Sequence, residues 1–373
     1  MKLTFEATAT DGTARTGVVR TPKGPLPTPL FMPVGTRASV KALDSADLEA
    51  MGIPLILGNT YHLMLRPGAE LIADLGGLHR FMDWPGQILT DSGGYQVFSL
   101  EPKVTDDGAT FRSTYDGDTH HLTPEGAAEI QSLLGADIQM VLDVCPPLPS
   151  PPGTIATAVR RTTEWGRRGR AAFLAGRGAR EDRGLDQAQF GIVQGGLDPE
   201  LRRRSAGETV ETGFDGYAIG VLSVVETRDE MLPALATALA ELPADQPRYL
   251  MGVGDPASIV EAVGLGVDLF DCVLPTRHAR HGTVLTSEGT LAIKNKAYER
   301  DEGPLDASCS CPVCARYSRA YLRHLRRLGE PTGARLLTIH NVWWLSALVN
   351  GLRDAVAEGR FAEARAAVLA TWA

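Results

Sequence analysis

The stretch Leu269-Phe270-Asp271-Cys272-Val273-Leu274-Pro275-Thr276-Arg277-His278-Ala279-Arg280-His281-Gly282 decides how the rest of the chain is read. It opens as a short apolar run, the signature of a buried strand, and delivers a carboxylate, Asp271, near the end of that run. Pro275 then stops the strand, because it has no N–H to give to a ladder. Arg277 and Arg280 follow, with His278 between them and His281 beyond. An acid beside a basic, anion-seeking loop suits a nucleophile aimed at a sugar carbon while neighbouring phosphates are held. The plain alternative is a strand-end Asp paired to a nearby Arg.

Outward from this stretch the same unit recurs. Apolar runs lie at 30–34, 54–58, 87–91, 138–143, 190–194, 217–221 and 249–253, and 267–273 makes eight. Each is followed by a turn and a helical segment. Thr123-Pro124-Glu125 offers an N-cap with Pro at the first helical position, and Gly135 can close that helix. Asp255-Pro256 with Gly264 repeats the pattern. Eight strand–helix units predict an α/β fold, a (β/α)8 TIM barrel, with a doubly wound open sheet as the alternative. The polar residues favour the barrel. Asp91, Asp143, Gln194 and Asp271 all fall at the C-terminal ends of their runs, where barrel active sites are built. We expect one barrel domain over 1–373. Within it, 1–29 reads as an N-terminal β cap, and 283–340 as a zinc-binding subdomain near the C-terminus. A further insertion, about 101–122, carries hairpin-turn signals at Asp106-Asp107-Gly108 and Tyr115-Asp116-Gly117.

The bulk composition narrows the class. At 373 residues, with 43% apolar and 22% charged, a sizeable core is within reach. No run of apolar residues is long enough to span a bilayer, and Met1-Lys2-Leu3-Thr4-Phe5-Glu6 has no apolar core of a signal peptide. The expectation is a cytoplasmic protein with no membrane partner. Five cysteines, three of them within six residues, fit metal binding better than a disulfide frame. A net charge of −8 argues against a generic nucleic-acid coat; a nucleic-acid partner would need local basic surface.

Asp91-Ser92-Gly93-Gly94-Tyr95-Gln96 sets an acid, two glycines and an aromatic in a row. The glycines let a flat ligand approach the backbone, and Tyr95 could stack on it. Asp91 with Asp271 makes a carboxylate pair, one for proton transfer and one as nucleophile at an anomeric carbon. Asp143 and Gln194 can read a purine edge, the Asp accepting ring N–H and amino protons and the amide reaching the carbonyl oxygen. Cys309-Ser310-Cys311-Pro312-Val313-Cys314 has metal-ligand spacing. With His340 as fourth ligand, or His324 as its competitor, it closes a structural tetrahedral zinc site. Arg316, Arg319, Arg323, Arg326 and Arg327 follow at largely helical spacing and suggest phosphate contact. The Arg-rich segment 160–183 is interleaved with Glu164, Glu181 and Asp182 and reads as a solvated face.

Together Asp91-Ser92-Gly93-Gly94-Tyr95-Gln96, Gly191-Ile192-Val193-Gln194-Gly195-Gly196, Asp271-Cys272-Val273-Leu274-Pro275-Thr276-Arg277 and Cys309-x-Cys311-x2-Cys314 with His340 resemble the bacterial tRNA-guanine transglycosylases over almost the whole chain. The resemblance implies exchange of guanine at the anticodon wobble position of tRNA with a G-U-N anticodon for 7-aminomethyl-7-deazaguanine, through a covalent aspartyl-ribose intermediate. It implies that Asp271 is the nucleophile and Asp91 the general acid/base. Ser92, Gly93, Gly94, Tyr95, Asp143, Cys145, Gln194, Gly220, Val221 and Leu222 would hold the base. Loops Gly252-Val253-Gly254-Asp255-Pro256-Ala257-Ser258 and Thr276-Arg277-His278-Ala279-Arg280 would contact tRNA. It also implies one structural Zn2+ per chain and a homodimer, for which the Trp343-Trp344 pair beside His340 is a suggestive feature. Cys145 and Val224 match the bacterial pattern and favour the aminomethyl base over queuine. Val221 and Val225 depart from it, since the family usually has glycine there. The alternatives are an archaeal-type enzyme acting elsewhere in tRNA, which would carry further C-terminal RNA-binding domains, and a non-catalytic tRNA-binding subunit. Intact Asp91 and Asp271 speak against the second. A zinc hydrolase on the same fold is disfavoured by the closed ligand set.

Overall fold

A computed structural model describes residues 3–146, 149–220, 222 and 227–373. Three antiparallel strands come first: β1 (Thr4–Asp11), β2 (Ala14–Thr21) and β3 (Gly24–Thr28). The barrel strands are β4 (Leu30–Gly35), β5 (Leu55–Gly58) and β6 (Gln87–Thr90). A small antiparallel sheet, β7 (Lys103–Val104), β8 (Ala109–Arg112) and β9 (Thr119–Leu122), interrupts them. The barrel resumes with β10 (Ile138–Met140), β11 (Ala188–Val193), β12 (Gly216–Ile219), β13 (Arg248–Leu250) and β14 (Leu269–Cys272). All eight pair in parallel and close, with β14 joined to β4 through Leu269↔Leu30 and Phe270↔Phe31. Each of the eight apolar runs falls on one of these strands, so the closed barrel, not the open sheet, is the fold. The strands are nearly continuous apolar sequence because both faces of a parallel barrel are covered. Phe31, Met32, Phe190, Tyr249 and Phe270 sit almost fully buried in the main core.

Helix ends follow the caps. Thr123 accepts from the Gly126 N–H, with Pro124 next, and the helix Pro124–Leu134 closes on Gly135. Asp255 caps the helix Pro256–Gly264 in the same way, although Gly264 is its last residue and Leu265 ends it. The hairpin turns at Asp106–Gly108 and Tyr115–Gly117 join β7, β8 and β9 as expected.

The β1–β3 sheet sits against the N-terminal ends of the barrel strands. Arg15 donates to both oxygens of Asp268, which precedes β14, at 3.0 and 2.5 Å. Lys23 pairs with Asp137 ahead of β10, and Thr21 donates to Gln87 at the start of β6. That end is sealed, and the opposite end is left for the site. After β14 come a hairpin, β15 (Thr283–Thr286) and β16 (Gly289–Ala292), a short helix Arg319–Leu328 and the long helix Pro331–Ala357. The last two share a second apolar core with the hairpin. Among the described residues no helix is long and apolar enough to cross a membrane.

Candidate active site

The C-terminal strand ends surround one cavity of about 660 Å³, lined by Asp91, Asp143, Gln194 and Asp271 together. Asp91 directly follows β6, Gln194 directly follows β11, Asp143 lies just beyond β10, and Asp271 is within β14. Residues scattered over 180 positions of sequence thus meet because closure brings every strand end to one rim.

The two acids of the pair are held differently. Asp271 accepts from the Tyr249 hydroxyl at 2.5 Å and from the Gly252 N–H at 2.8 Å. Burial raises its pKa, and these two donors oppose that shift in part by stabilising the carboxylate. Asp91 accepts from Asn59 Nδ2 at 2.5 Å and from the N–H groups of Thr60 and Gly93 at 2.7 and 3.2 Å. Burial outweighs the donors here as well and pushes its pKa up to about 6. Asp91 can therefore take and return a proton near neutrality, beside a second carboxylate that two fixed donors orient. Cys272, next to Asp271, is kept as a neutral thiol: burial and then the Asp271 charge push it up to about 12.

Asp143 and Gln194 are already joined, with Gln194 Nε2 donating to Asp143 Oδ2 at 2.7 Å. Burial lifts Asp143 to about 6, against the opposing hydrogen bonds from Gln194 and Ser92. Two glycines make room for this pair. A Cβ on Gly94 would lie 2.7 Å from Asp143 Oδ1, and one on Gly220 2.6 Å from Gln194 Nε2, both closer than real contacts. Arg202, fully buried, ties the neighbouring loops by donating to the carbonyls of Gly196, Val193 and Gly220 at 2.8, 3.0 and 3.0 Å.

The structure gathers most, though not all, of the residues expected here. Ser92, Gly94, Tyr95, Cys145, Gly220 and Leu222 line the cavity, and Gly93 reaches it through its N–H on Asp91. Tyr95 stands at the rim with 56% of its surface exposed, leaving ring surface free for a flat ligand. Val221, Val224 and Val225 lie outside the described residues. The two expected tRNA loops need correction. Pro256-Ala257-Ser258 is the first turn of a helix, and Thr276–Arg280 lies within the helix Leu274–His281, because Pro256 and Pro275 each start a helix rather than prolong a loop. The side chains of Pro256, Ala257, Thr276 and Ala279 are buried. Gly252, Val253, Gly254, Asp255, Ser258, Arg277 and His278 line the cavity. Arg280 is partly exposed and spends one N–H on the Thr276 carbonyl.

Asn59 and Tyr249, which grip the two acids, were not anticipated. Asn59 sits at a strand end like the four polar residues that were, so the same signal could have found it. Tyr249 lies inside an apolar run and carries no such mark.

Cys309, Cys311, Cys314 and His340 converge, with all their ligand atoms within 4.8 Å of one another. His340 Nδ1 is 3.4 Å from Cys311 Sγ and 3.2 Å from Cys314 Sγ. Ligands at the corners of a tetrahedron with metal bonds of about 2.0–2.3 Å would be roughly 3.5 Å apart, so the donor set fits a metal ion. The Leu285 carbonyl, 2.8 Å from Nε2, fixes the ring and leaves Nδ1 for the ion. His340 is buried within the long helix, whereas His324 is exposed, which decides between the two.

The arginines after these cysteines are not a uniform phosphate face. Arg323 is buried and donates to the Asn295 carbonyl, Arg319 pairs with Asp301, and Arg326 donates to the Arg280 carbonyl. Packing claimed them because the insertion must be tied down. In the segment 160–183, Arg160, Arg161 and Arg168 do pair with Asp106, Asp107 or Glu125 near the surface, but Arg170 is buried against Asp215. Trp344 is used internally as well, donating to Asp306 and packing 5.4 Å from Trp372.

Residues 10–373 match the sequence profile of the family described as Queuine tRNA-ribosyltransferase. Curated proteins of that name are similar along nearly their full lengths. The one from Novosphingobium aromaticivorans is 53% identical over 363 residues, 97% of this chain and 96% of that protein. The one from Sphingopyxis alaskensis is 52% identical over 366 residues, 98% and 96% respectively. The one from Zymomonas mobilis is 49% identical over 364 residues, 97% and 93%.

Proposed function

Given that this chain belongs to the queuine tRNA-ribosyltransferase family, we propose that it exchanges guanine at the anticodon wobble position of G-U-N tRNAs for 7-aminomethyl-7-deazaguanine, through a covalent aspartyl-ribose intermediate. The observation that carries this reading is the pair of strand-end acids, Asp91 and Asp271, in one cavity but in unlike hydrogen-bond environments.

The guanine to be exchanged leaves its stack and enters the cavity, at a cost of a few kcal/mol that is lower in a loop than in a duplex. Asp143 accepts from the ring N–H and exocyclic amino group. Gln194, already donating to Asp143, has its second amide N–H for the purine carbonyl. Tyr95 covers the ring, and the Leu222 carbonyl meets the aminomethyl group of the incoming base. Asp271, steadied by Tyr249 and Gly252, attacks ribose C1′. The C1′–O bond forms as the bond to purine N9 breaks, the electron pair goes to the purine, and Asp91 supplies its proton. The incoming base then loses its N9 proton to Asp91 and displaces Asp271 from C1′. Two inversions give net retention. Neither step consumes a redox cofactor or nucleotide.

Cys309, Cys311, Cys314 and His340 would hold a Zn2+ ion, which supplies a cross-link and no open coordination position for chemistry. We place the protein in the cytoplasm with its tRNA. We read 1–373 as one domain that acts as a homodimer. Tyr321, exposed and stacked 5.6 Å from Tyr317 beside the metal group, supports an interface there.

The test is a trapped adduct. Purified protein with unmodified tRNA should give a species that survives denaturation and whose mass is one chain plus one tRNA. Under native conditions the same complex should contain two chains. Asp271→Asn should fold and bind tRNA but lose the adduct, because an amide is a poor nucleophile toward C1′. An adduct persisting in the Asn variant would refute the assignment, and a fully active single-chain complex would refute the dimer.

A further inference from the structure

The insertion 103–122 does more than decorate the rim. Its turn is fastened to the short helix Thr60–Leu65, where the Tyr61 hydroxyl meets Thr114 Oγ1 at 3.1 Å and accepts from the Thr114 N–H at 3.2 Å. The Tyr115 hydroxyl lies 2.8 Å from His62 Nδ1. His62 lines the cavity, and the same helix begins with Thr60, whose N–H holds Asp91. Tyr115 is therefore anchored to the catalytic rim.

Two guanidinium groups gather on that tyrosine. Arg37 lies 5.2 Å and Arg66 5.1 Å from the centre of its ring. Both side chains are exposed, and among the described residues neither forms an ion pair. Asp116 in the turn accepts from the Asp118 N–H at 3.1 Å, and the Arg66 charge helps to lower its pKa without an ion pair. Burial and then Arg37 and Lys41 lower the basicity of His62, a sign of positive potential at this part of the rim. Three cations, Arg37, Lys41 and Arg66, set against one nearby acid, Asp116, in a chain of net charge −8, leave local positive charge for an anion.

Strand order shows which anion. Around the barrel, β14, β4 and β5 are consecutive. Arg277 and His278 follow β14, Arg37 and Lys41 follow β4, and Arg66 follows β5. The base-reading residues Asp143, Gln194 and Gly220 follow β10, β11 and β12, on the other part of the rim. One sector reads a base, and the other carries cations after three consecutive strands.

We propose that Arg37 and Arg66, presented by Tyr115, bind the phosphate backbone of tRNA next to the flipped nucleotide, continuing a track that starts at Arg277. The proposal rests on the transglycosylase reading above and adds the path of the strand. A polyanion with successive phosphates fits this track, while a single small anion would need only one step of it.

The experiment is binding of unmodified tRNA by the full chain across a salt series, with parent, Arg37→Ala/Arg66→Ala and Arg37→Lys/Arg66→Lys proteins. The alanine pair should weaken tRNA binding about tenfold near 0.1 M salt. It should also reduce the slope of log affinity against log salt by about 1.4, or roughly 0.7 for each lost phosphate contact on a single strand. Affinity for free guanine should not change, and the lysine pair should keep the parent slope. Unchanged tRNA affinity and slope in the alanine pair, with the parent still forming its adduct, would overturn the track alone. So would a change in oligomeric state by light scattering at an unchanged slope, which would assign the patch to a second copy of the chain. A parent that binds no tRNA would overturn the transglycosylase reading together with it.

Discussion

Three aspartates on one rim are set apart by what donates to them. Asp271 has a hydroxyl and a backbone N–H, Asp91 has an amide and two backbone N–H groups yet is lifted to about 6 by burial, and Asp143 is lifted equally against a single short bond from Gln194. Asp143 yields a prediction with two opposite signs. An unfolded Asp titrates near 3.9, so between about pH 4 and 6 the folded chain binds the extra proton. Stability from this group is therefore full below pH 4 and is lost as pH rises through 6. At pH 7 the buried carboxylate is a cost on the order of 1–3 kcal/mol. Asp143→Asn should raise the melting temperature at pH 7 by a few degrees and leave it unchanged at pH 4, while weakening guanine binding at least tenfold. Parent affinity for guanine should itself fall below pH 6. Calorimetry and base titration at the two pH values check this, and a variant less stable than the parent at pH 7 would contradict it.

Among the elements, the helix Pro331–Ala357 does the most varied work. It carries His340 to the three cysteines, and its Asn341 donates to the carbonyls of Pro275 and Thr283 and accepts from the Leu285 N–H. The metal group and the helix that bears Arg277 are thus linked through adjacent residues. Zinc analysis should find about one ion per chain, and His340→Ala should release it while His324→Ala retains it. Because Arg277 is reached through the same helix, metal loss should weaken tRNA binding before circular dichroism reports any loss of the barrel. Equal metal content in the two alanine variants would show that His340 is not a ligand. The β7–β9 insertion is a second case, where a hairpin turn visible in the sequence became, through Tyr115, a support for two arginines on another part of the chain.

For the whole molecule, the β1–β3 sheet seals the barrel end opposite the site through a buried pair, Arg15 and Asp268. Arg15 also donates to the carbonyls of Ala244 and Gln246, so one side chain joins the cap to the segment before β13 and to the start of β14. Removing one partner of a buried pair strands the other charge, which typically costs about 3–5 kcal/mol. Arg15→Met should lower stability by that order, and adding Asp268→Asn should recover part of it. Urea denaturation of the two variants measures the difference. A single variant within about 0.5 kcal/mol of the parent would show that the pair does not hold the cap.

The sequence by itself determined the barrel, its strands and the chemistry at their ends. Parallel strands buried on both faces read as unbroken apolar runs, so a polar residue at the end of a run, such as Asp91, Gln194 or Asp271, stands out. Cysteines within one tight turn reveal a metal group because their spacing is local. Tertiary structure alone decided which histidine completes that group, since His324 and His340 differ only in which way their helices face. It alone paired Asp91 with Asn59, Asp271 with Tyr249, and Tyr115 with Arg37 and Arg66. It also took Thr276, Ala279 and Arg323 away from the surface where a linear reading put them. The physical reason is the same throughout: a partner in the next strand or loop is near only after the barrel closes, and nothing in local propensity records that distance.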